Sequence, residues 1–283
     1  MVKQEEINNY WEKEVCDTRF SKTSNQYKRY KELKKARYSS EPYILEFAFD
    51  EKYSYISGKK ILEIGVGSGL DLIEFLKKDA FCSGIDATTA SIEESKRNIN
   101  VALNNNQLNN LQYLLKCDAE KLPFNNNEFD ILYSHGVLHH AKNTNKCIAE
   151  AIRVLKPGGV FKIMVYSDFS ATGSILWLLY GLARLRPFSS QKDIISKYLE
   201  SPGTKSYSYE NIRKILEENG LKNIILKKHT SASDLMLMPP SQKYTKNIFL
   251  KLLFLTVQKV YPRYFIKRFQ NIFGLALTVT ANK

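Results

Sequence analysis

The chain has 283 residues and carries 42 Lys or Arg against 29 Asp or Glu, a formal net charge of +13 at pH 7. A chain of this length buries a core large enough to fold without a disulfide or a structural metal. Its four cysteines form no Cys-x-x-Cys pair, so neither a disulfide framework nor a metal site is expected from Cys16, Cys82, Cys117 and Cys147.

The beginning of the sequence lacks the apolar core of a signal peptide. A run of about 18 apolar residues, which a membrane-spanning helix requires, does not occur either. The sequence therefore predicts a cytoplasmic protein.

Residues 1–56 predict helices rich in charged and aromatic side chains. Segments 10–13 and 27–38 have this character, and segment 41–47 starts another helix with Pro in its first turn. Tyr27, Arg37 and Tyr38 are candidates for ligand contacts, although their types equally suit an exposed helix.

Residues 61–69, Ile-Leu-Glu-Ile-Gly-Val-Gly-Ser-Gly, are the most informative part of the chain. An apolar strand that contains Glu63 ends in three alternate glycines, and an amphipathic helix follows from Leu70. A glycine turn between a strand and a helix presents bare N–H groups to a ligand. The third glycine comes one position too early for the dinucleotide motif Gly-x-Gly-x-x-Gly, and no Lys follows as a phosphate loop requires.

Further strands follow at regular intervals. Residues 81–86 predict a second strand that ends in Asp86, where an acid can accept hydrogen bonds from ribose hydroxyls. Residues 111–116 predict a third strand, with Asp118 just after it, and residues 129–134 a fourth. A helix closed by Pro157 and two glycines precedes a fifth strand at 160–164.

These motifs, in this order, resemble the class I S-adenosylmethionine (SAM) dependent methyltransferases, in particular the ubiquinone/menaquinone C-methyltransferase-like group, also called methyltransferase type 11. The resemblance covers residues 57–166. It implies an α/β fold with a doubly wound, mostly parallel seven-stranded sheet whose last strand is antiparallel. It also implies SAM as the cofactor, with an Asp side chain at the adenine amino group and the next backbone N–H at the ring. The cofactor-binding residues it implies are Glu63, Gly65, Gly67, Gly69, Asp86, Ala87, Asp118, Ala119 and Ser134.

The resemblance also divides the chain. Residues 1–56 are expected to form a helical cap on the SAM pocket, residues 57–166 the Rossmann-like core, residues 167–271 a substrate or lid region that includes strand six, and residues 272–283 the final strand. Within the third region, segment 174–185 predicts a buried or interfacial helix. A helix from Ser208 to Gly220 and strands at 221–230 and 275–280 follow, so residues 231–273 are a long insertion.

Two histidines after the fourth strand are the candidate catalytic residues. His135 and His139 lie at the carboxyl end of a strand, where open α/β sheets bind ligands, and either could accept a proton. His139 is the preferred candidate, but either residue could instead cap a helix or pack on the cofactor. The Asn/Asp-Pro-Pro-Tyr sequence of nucleobase amino-methylating enzymes is absent, which favours a small-molecule acceptor, lipophilic or a secondary metabolite. Nucleic acid is not the expected partner.

The end of the chain is basic. Residues 241–283 carry eight Lys or Arg and no acid. Segment 247–255 is strongly apolar, which is typical of an interfacial membrane helix but also of a lid helix or a dimer contact. Two alternative functions stay open: an RNA methyltransferase recruited by this segment, and a SAM-binding protein without catalysis. The oligomeric state also stays open.

Overall fold

The computed structural model describes residues 3–13, 15–50, 55–237 and 255–283. Eight strands lie within these ranges: β1 (Lys60–Ile64), β2 (Phe81–Asp86), β3 (Leu111–Lys116), β4 (Phe129–His135), β5 (Leu155–Ser167), β6 (Ser206–Tyr207), β7 (Lys222–His229) and β8 (Ala276–Asn282). They form one sheet in the order β3-β2-β1-β4-β5-β8-β7, and the short β6 pairs with β5.

The direction of the strands confirms the predicted sheet. β1 pairs in parallel with β2 and β4, and the same holds for β2–β3, β4–β5 and β5–β6. β8 runs antiparallel to both of its neighbours, β5 and β7. The strand predicted at 221–230 is β7, and the two-residue β6 is an addition that the sequence did not predict.

Helices join the strands and cover both faces of the sheet. They are α1 (Gln4–Lys13), α2 (Gln26–Ser40), α3 (Tyr43–Phe49), α4 (Leu70–Lys77), α5 (Thr89–Ala102), α6 (Asn105–Leu108), α7 (Thr144–Val154), α8 (Ala171–Tyr180), α9 (Gln191–Tyr198), α10 (Tyr209–Glu218), α11 (Arg263–Arg268) and α12 (Gln270–Phe273). A helical segment at 255–260 precedes α11.

Side-chain alternation along the strands divides the apolar core into two layers. In β1, Ile61 packs with the layer that includes α2 to α5, whereas Leu62 packs with the layer that includes α7 and α10. Both side chains are fully buried. Because the strands are apolar on both faces, they read as continuous hydrophobic runs in the sequence.

The fifth strand begins earlier than the sequence indicates. α7 ends at Val154 and β5 starts at the next residue, before the Pro-Gly-Gly turn. The chain end holds this turn, because Gly158 N donates to the Lys283 carbonyl and Lys283 N donates to the Gly159 carbonyl. The turn therefore belongs to β5 and its pairing with the end of β8 rather than to the end of the helix.

The apolar segment at 174–185 forms α8 and a short 3-10 turn. Ala171 and Tyr180 are buried, but Leu185 and the following Phe188 are almost fully exposed. The helices described here include none that is long and apolar enough to cross a bilayer. Most of the apolar segment predicted at 247–255 lies outside the described residues.

Candidate functional site

The three alternate glycines form a tight loop between β1 and α4. Gly65, Gly67 and Gly69 all have positive φ angles, of 81°, 52° and 75°. A Cβ atom on Gly65 would lie 2.2 Å from a methyl group of Val137, so a larger residue does not fit there. The N–H groups of Gly65 and Val66 both donate to the Ile85 carbonyl, which joins the loop to the end of β2.

This loop forms one wall of a cavity at the carboxyl ends of the parallel strands, here called the glycine-loop cavity. Eight of the residues predicted for the site line it: Glu63, Gly65, Gly67, Asp86, Ala87, Asp118, Ala119 and His135. Residues of α1 and the segment after it, including Ile7 and Trp11, close it from the other side. This placement is what a cap on a cofactor pocket requires.

The other three predicted residues are not among those that line this cavity. Gly69 caps α4 and packs closely on Ser95 of α5. The Ser134 hydroxyl is buried and donates to the Ile64 carbonyl at 2.8 Å. His139 is fully buried behind the cavity wall. Their predicted contacts with cofactor or acceptor stay predictions.

Asp86 has structural partners of its own. Its Oδ2 accepts from Gly67 N at 3.0 Å, and its Oδ1 accepts from the N–H of Thr88 at 3.0 Å and from the Thr88 hydroxyl at 2.8 Å. Burial raises the pKa of this carboxyl above its usual value, and these hydrogen bonds oppose the rise. Asp86 therefore fixes the glycine loop as well as facing the cavity.

Glu63 is the most buried acid of the cavity wall after Asp71. Its Oε2 has no hydrogen-bond partner among the described residues, although the residue is only 3% exposed. Burial, and then the neighbouring Asp71 carboxylate, raise the pKa of Glu63 well above its usual value. An orphaned carboxyl oxygen on a cavity wall is suited to a ligand that brings a donor or a positive charge.

The charged side chains that line the glycine-loop cavity are mostly acidic. The carboxylates among the described lining residues belong to Asp17, Glu63, Asp71, Asp86 and Asp118, and the Lys or Arg there is Arg37 alone. Arg37 is already neutralised: its Nε and Nη2 contact the two carboxylate oxygens of Asp71 at 2.9 and 2.5 Å, and its Nη1 contacts Asp17 at 3.1 Å. The cavity therefore favours a cationic ligand over a phosphate-bearing one.

A second cavity, here called the adjoining cavity, begins where the first ends. Both are lined by Trp11, Cys16, Asp17, Arg37, His135 and Gly136. The adjoining cavity extends to apolar side chains such as Phe20, Met164 and Leu199, and to the carboxylates of Glu41 and Glu200. Two ligands bound in these cavities would meet at His135.

His135 stands at this junction in a chain of hydrogen bonds. Arg37 Nη2 lies 3.5 Å from its Nδ1, and because Arg can only donate, Nδ1 is the acceptor. Its Nε2–H then donates to the Tyr43 hydroxyl at 3.1 Å, and that hydroxyl donates to Glu41 at 3.0 Å. Burial and the Arg37 charge lower the pKa of His135 to about 3, so the imidazole is neutral at physiological pH.

The pKa of Glu41 is shifted in the opposite direction to that of His135. Burial raises the pKa of its carboxyl to about 7, although Arg37 opposes the rise. It lines the adjoining cavity and is anchored by the Tyr43 hydroxyl. A carboxyl that titrates near neutral pH on a cavity wall is suited to accept a proton.

Glu41, Asp17 and Asp71 are site residues that sequence reasoning missed. Asp71 carried one usable signal, since it is an acid in the first turn of the helix after the glycines. Arg37, a candidate from the sequence, lies at the centre of the site, and Tyr38 reaches it through a 3.0 Å hydrogen bond to Asp71. Tyr27 is half-exposed and lines neither cavity.

Comparison with known families decides the class of this domain. The model of a methyltransferase domain matches residues 62–163, which run from β1 into β5. Residues 62–163 are therefore similar to a methyltransferase domain. The resemblance to SAM-dependent methyltransferases that the motifs indicated is thereby confirmed for this part of the chain.

Relatives of the methyltransferase domain act in lipid and quinone chemistry. The phthiotriol/phenolphthiotriol dimycocerosates methyltransferase of Mycobacterium leprae is 29% identical over 155 residues, which are 53% of this chain and 53% of that protein. The ubiquinone/menaquinone biosynthesis C-methyltransferase of Blochmanniella floridana is 31% identical over 179 residues, 60% of this chain and 65% of that protein. The matches thus span between half and two thirds of the length of these relatives.

A solved structure confirms the fold of the described residues. One chain of the complex between the Haloferax volcanii Trm112 methyltransferase activator and a methyltransferase aligns with a TM-score of 0.58 at 15% identity. The alignment covers 100% of this chain and 99% of that chain. At this identity, the likeness concerns the fold and not the acceptor.

Proposed function

We propose that the protein is a SAM-dependent methyltransferase that methylates a small, lipophilic acceptor. The acidic lining of the glycine-loop cavity supports this proposal most directly. SAM carries a sulfonium and an ammonium group, which the carboxyl groups that are not paired with Arg37, those of Glu63, Asp86 and Asp118, would attract when ionised. The pyrophosphate of a dinucleotide would be repelled by the same groups.

The proposed cofactor contacts follow the family order. Asp86 and Ala87 would hold the ribose, Asp118 and Ala119 the adenine, and Glu63 the methionine part beside the glycines. The free Oε2 of Glu63 supports this role, because a cationic group there would favour ionisation of a carboxyl that burial otherwise keeps protonated.

The adjoining cavity is the proposed acceptor site. It meets the glycine-loop cavity at His135, and it combines apolar walls with the carboxylates of Glu41 and Glu200. Such a lining suits a ring or a chain that carries one ionisable hydroxyl. Relatives named for quinone and lipid methylation support an acceptor of this class.

Methyl transfer is an in-line displacement in which the protein orients two molecules and excludes water. We propose that Glu41 accepts the proton of the acceptor. His135, neutral and held at both nitrogens, would position the acceptor rather than deprotonate it. This differs from the prediction that His139 or His135 is the base, a prediction that stays untested.

The test is methyl transfer from isotopically labelled SAM to a panel of phenols, demethylated quinols and hydroxylated lipids, with RNA as a further acceptor. Formation of S-adenosylhomocysteine with a phenolic or quinol acceptor is the expected result. Transfer to RNA alone would replace the proposal with the RNA alternative. SAM binding without transfer to any acceptor would favour the non-catalytic alternative.

A further inference from the structure

We propose that His139, His140 and Glu200 form a binding site for a divalent transition-metal ion, with zinc as the best fit. The site lies behind Tyr166, next to the wall of the adjoining cavity. His140 also lines the glycine-loop cavity and Glu200 the adjoining cavity, but no step of the proposed methyl transfer uses the ion. No metal site was expected from the sequence, because the four cysteines lack the spacing of metal ligands.

The three side chains converge on one point. Each offers a ligand atom, and these atoms all lie within 4.8 Å of one another. His140 Nε2 and Glu200 Oε2 are 3.2 Å apart, which already matches two ligands of one ion. Zinc takes His nitrogens and a carboxylate oxygen at about 2.0–2.2 Å, and two His with one Glu is a known zinc ligand set. The His139 nitrogen has to approach by about 1 Å for tetrahedral geometry at these bond lengths.

The side chain of His139 provides the first independent observation that supports a metal ion. This side chain is fully buried, yet neither ring nitrogen has a hydrogen-bond partner within the described part of the chain. Buried polar groups are nearly always paired, so two orphaned nitrogens on one imidazole require an unseen partner. Besides the other two proposed ligands, the His139 ring contacts the Tyr166 ring, and the centroids of these two rings are 4.1 Å apart.

His140 provides the second observation. Its Nε2 is buried and has no hydrogen-bond partner among the described residues, although Glu200 Oε2 lies only 3.2 Å away. Its Nδ1 lies 2.8 Å from the Ser201 hydroxyl oxygen and 3.1 Å from that of Thr204, which hold the ring from the other side. Nε2 therefore lies beside a carboxylate without a well-aligned hydrogen bond to it.

A metal ion bound by both Nε2 and the Glu200 carboxylate accounts for this short contact. A proton shared by His140 and Glu200 also accounts for it. The unpartnered His139 beside them favours the metal, since a proton shared by His140 and Glu200 leaves His139 unexplained.

The surroundings are those of a metal site. Histidine ligands usually bind the metal with one nitrogen and donate the other N–H to an outer partner, which fixes the ring. The hydroxyl oxygens of Ser201 and Thr204 are placed to accept such a hydrogen bond from His140 Nδ1. The Tyr166 hydroxyl donates to Glu200 at 2.8 Å and orients the carboxylate in the same way. Glu200 lines the adjoining cavity, through which an ion can enter.

The test uses the untagged full-length chain, stripped with a chelator and then titrated with Zn²⁺ or Co²⁺. We expect about one ion per chain after desalting, measured by elemental analysis, and a higher melting temperature with zinc. Bound Co²⁺ should give the visible absorption of a four-coordinate nitrogen and oxygen site. A folded protein that retains neither ion would overturn the proposal and leave the shared proton as the explanation.

Variants separate this site from adventitious binding. Glu200→Gln keeps the shape of the side chain and an oxygen that can accept a hydrogen bond from Tyr166. It should weaken zinc binding by at least about 100-fold, because losing a ligand costs more affinity than losing an outer hydrogen-bond partner. His139→Gln should do the same. Glu218→Gln, an exposed control on α10, should bind zinc as the wild type does. Wild-type affinity in both cluster variants would overturn the proposal, even if one of them folds poorly.

Discussion

Both carboxylate oxygens of Asp86 already accept hydrogen bonds, from Gly67 and from Thr88. Asp86→Asn keeps one oxygen acceptor but loses the charge, so it should weaken binding of S-adenosylhomocysteine by about 1.5–3 kcal/mol, the range for a hydrogen bond to a charged group. Titration calorimetry measures this change directly.

Asp86→Ala should in addition lower the free energy of unfolding. It leaves the Gly67 N–H without its acceptor, which costs about 1–3 kcal/mol where the group stays buried. An unchanged dissociation constant in both variants would show that Asp86 does not contact the ribose.

Glu41 sets the expected pH dependence of turnover. Its carboxyl has a raised pKa of about 7, so the basic form accumulates as the pH rises through 7. If Glu41 is the base, kcat/KM should increase with pH up to about 7 and then level off. Glu41→Gln should remove this dependence and lower kcat by about 10²-fold, with little change in cofactor affinity.

The matched control is Glu46→Gln, an exposed acid on the neighbouring α3. It should leave both turnover and its pH profile unchanged. If Glu41→Gln keeps the wild-type profile, the assignment of the base to Glu41 is wrong.

The site residues that could be predicted from the sequence are those that belong to a local motif. Gly65, Gly67 and Asp86 were found because a strand end fixes where its neighbours point. Glu41 and Glu200 were not, since their place in one cavity depends on contacts between segments far apart in the chain. The side chain of Ser134 lies on the opposite face of β4 from that of His135, and its contact with the cofactor stays a prediction.

At the scale of elements, the glycine loop between β1 and α4 leaves no room for a Cβ atom at Gly65. Gly65→Ala puts a Cβ 2.2 Å from Val137 at a positive φ of 81°. Gly58→Ala is a matched control, because it has a similar φ of 72° and nothing within 4 Å of the added atom. Both variants are destabilised because they place a Cβ atom at a positive φ, but only Gly65→Ala also forces Val137 to move.

We therefore expect Gly65→Ala to be less stable than Gly58→Ala by about 1–3 kcal/mol, the usual cost of overpacking. Urea unfolding of the two variants measures the difference. Equal stabilities would mean that Val137 yields freely and that the loop is not fixed by this contact.

The order of the elements was predictable, but not every boundary. Alternating strands and helices with short turns specify a parallel sheet, and the antiparallel last strand was implied by the family resemblance. The early start of β5 depends on hydrogen bonds to Lys283 at the other end of the chain, and β6 has only two residues. Pairings of this kind leave no pattern in the local sequence.

For the whole molecule, the basic end of the chain raises the question of a membrane surface. In its described part, Val260 and Tyr264 are 77% and 85% exposed, and the basic residues Lys267 and Arg268 follow them. Apolar side chains among basic ones are typical of interfacial contact. We expect binding to anionic vesicles that weakens as salt is added.

Vesicle flotation with a charge-reversed pair tests this expectation. Lys267→Glu with Arg268→Glu should release the protein, since each basic group near such a surface contributes about 1 kcal/mol. Lys214→Glu with Lys222→Glu makes the same change of charge elsewhere on the exposed surface and should not release it. Equal loss in both pairs would mean that net charge alone attracts the protein, and no flotation at low salt would exclude a membrane contact.

The central claim is that the acidic glycine-loop cavity binds SAM, and calorimetric titration with S-adenosylhomocysteine tests it most directly. We predict one site per chain with a dissociation constant in the micromolar range, about 7–8 kcal/mol of binding free energy. The dinucleotide NAD should give no heat, because its pyrophosphate meets the carboxylates of the cavity. A folded protein that shows neither heat nor a thermal shift at millimolar S-adenosylhomocysteine, or that binds NAD instead, would contradict the account.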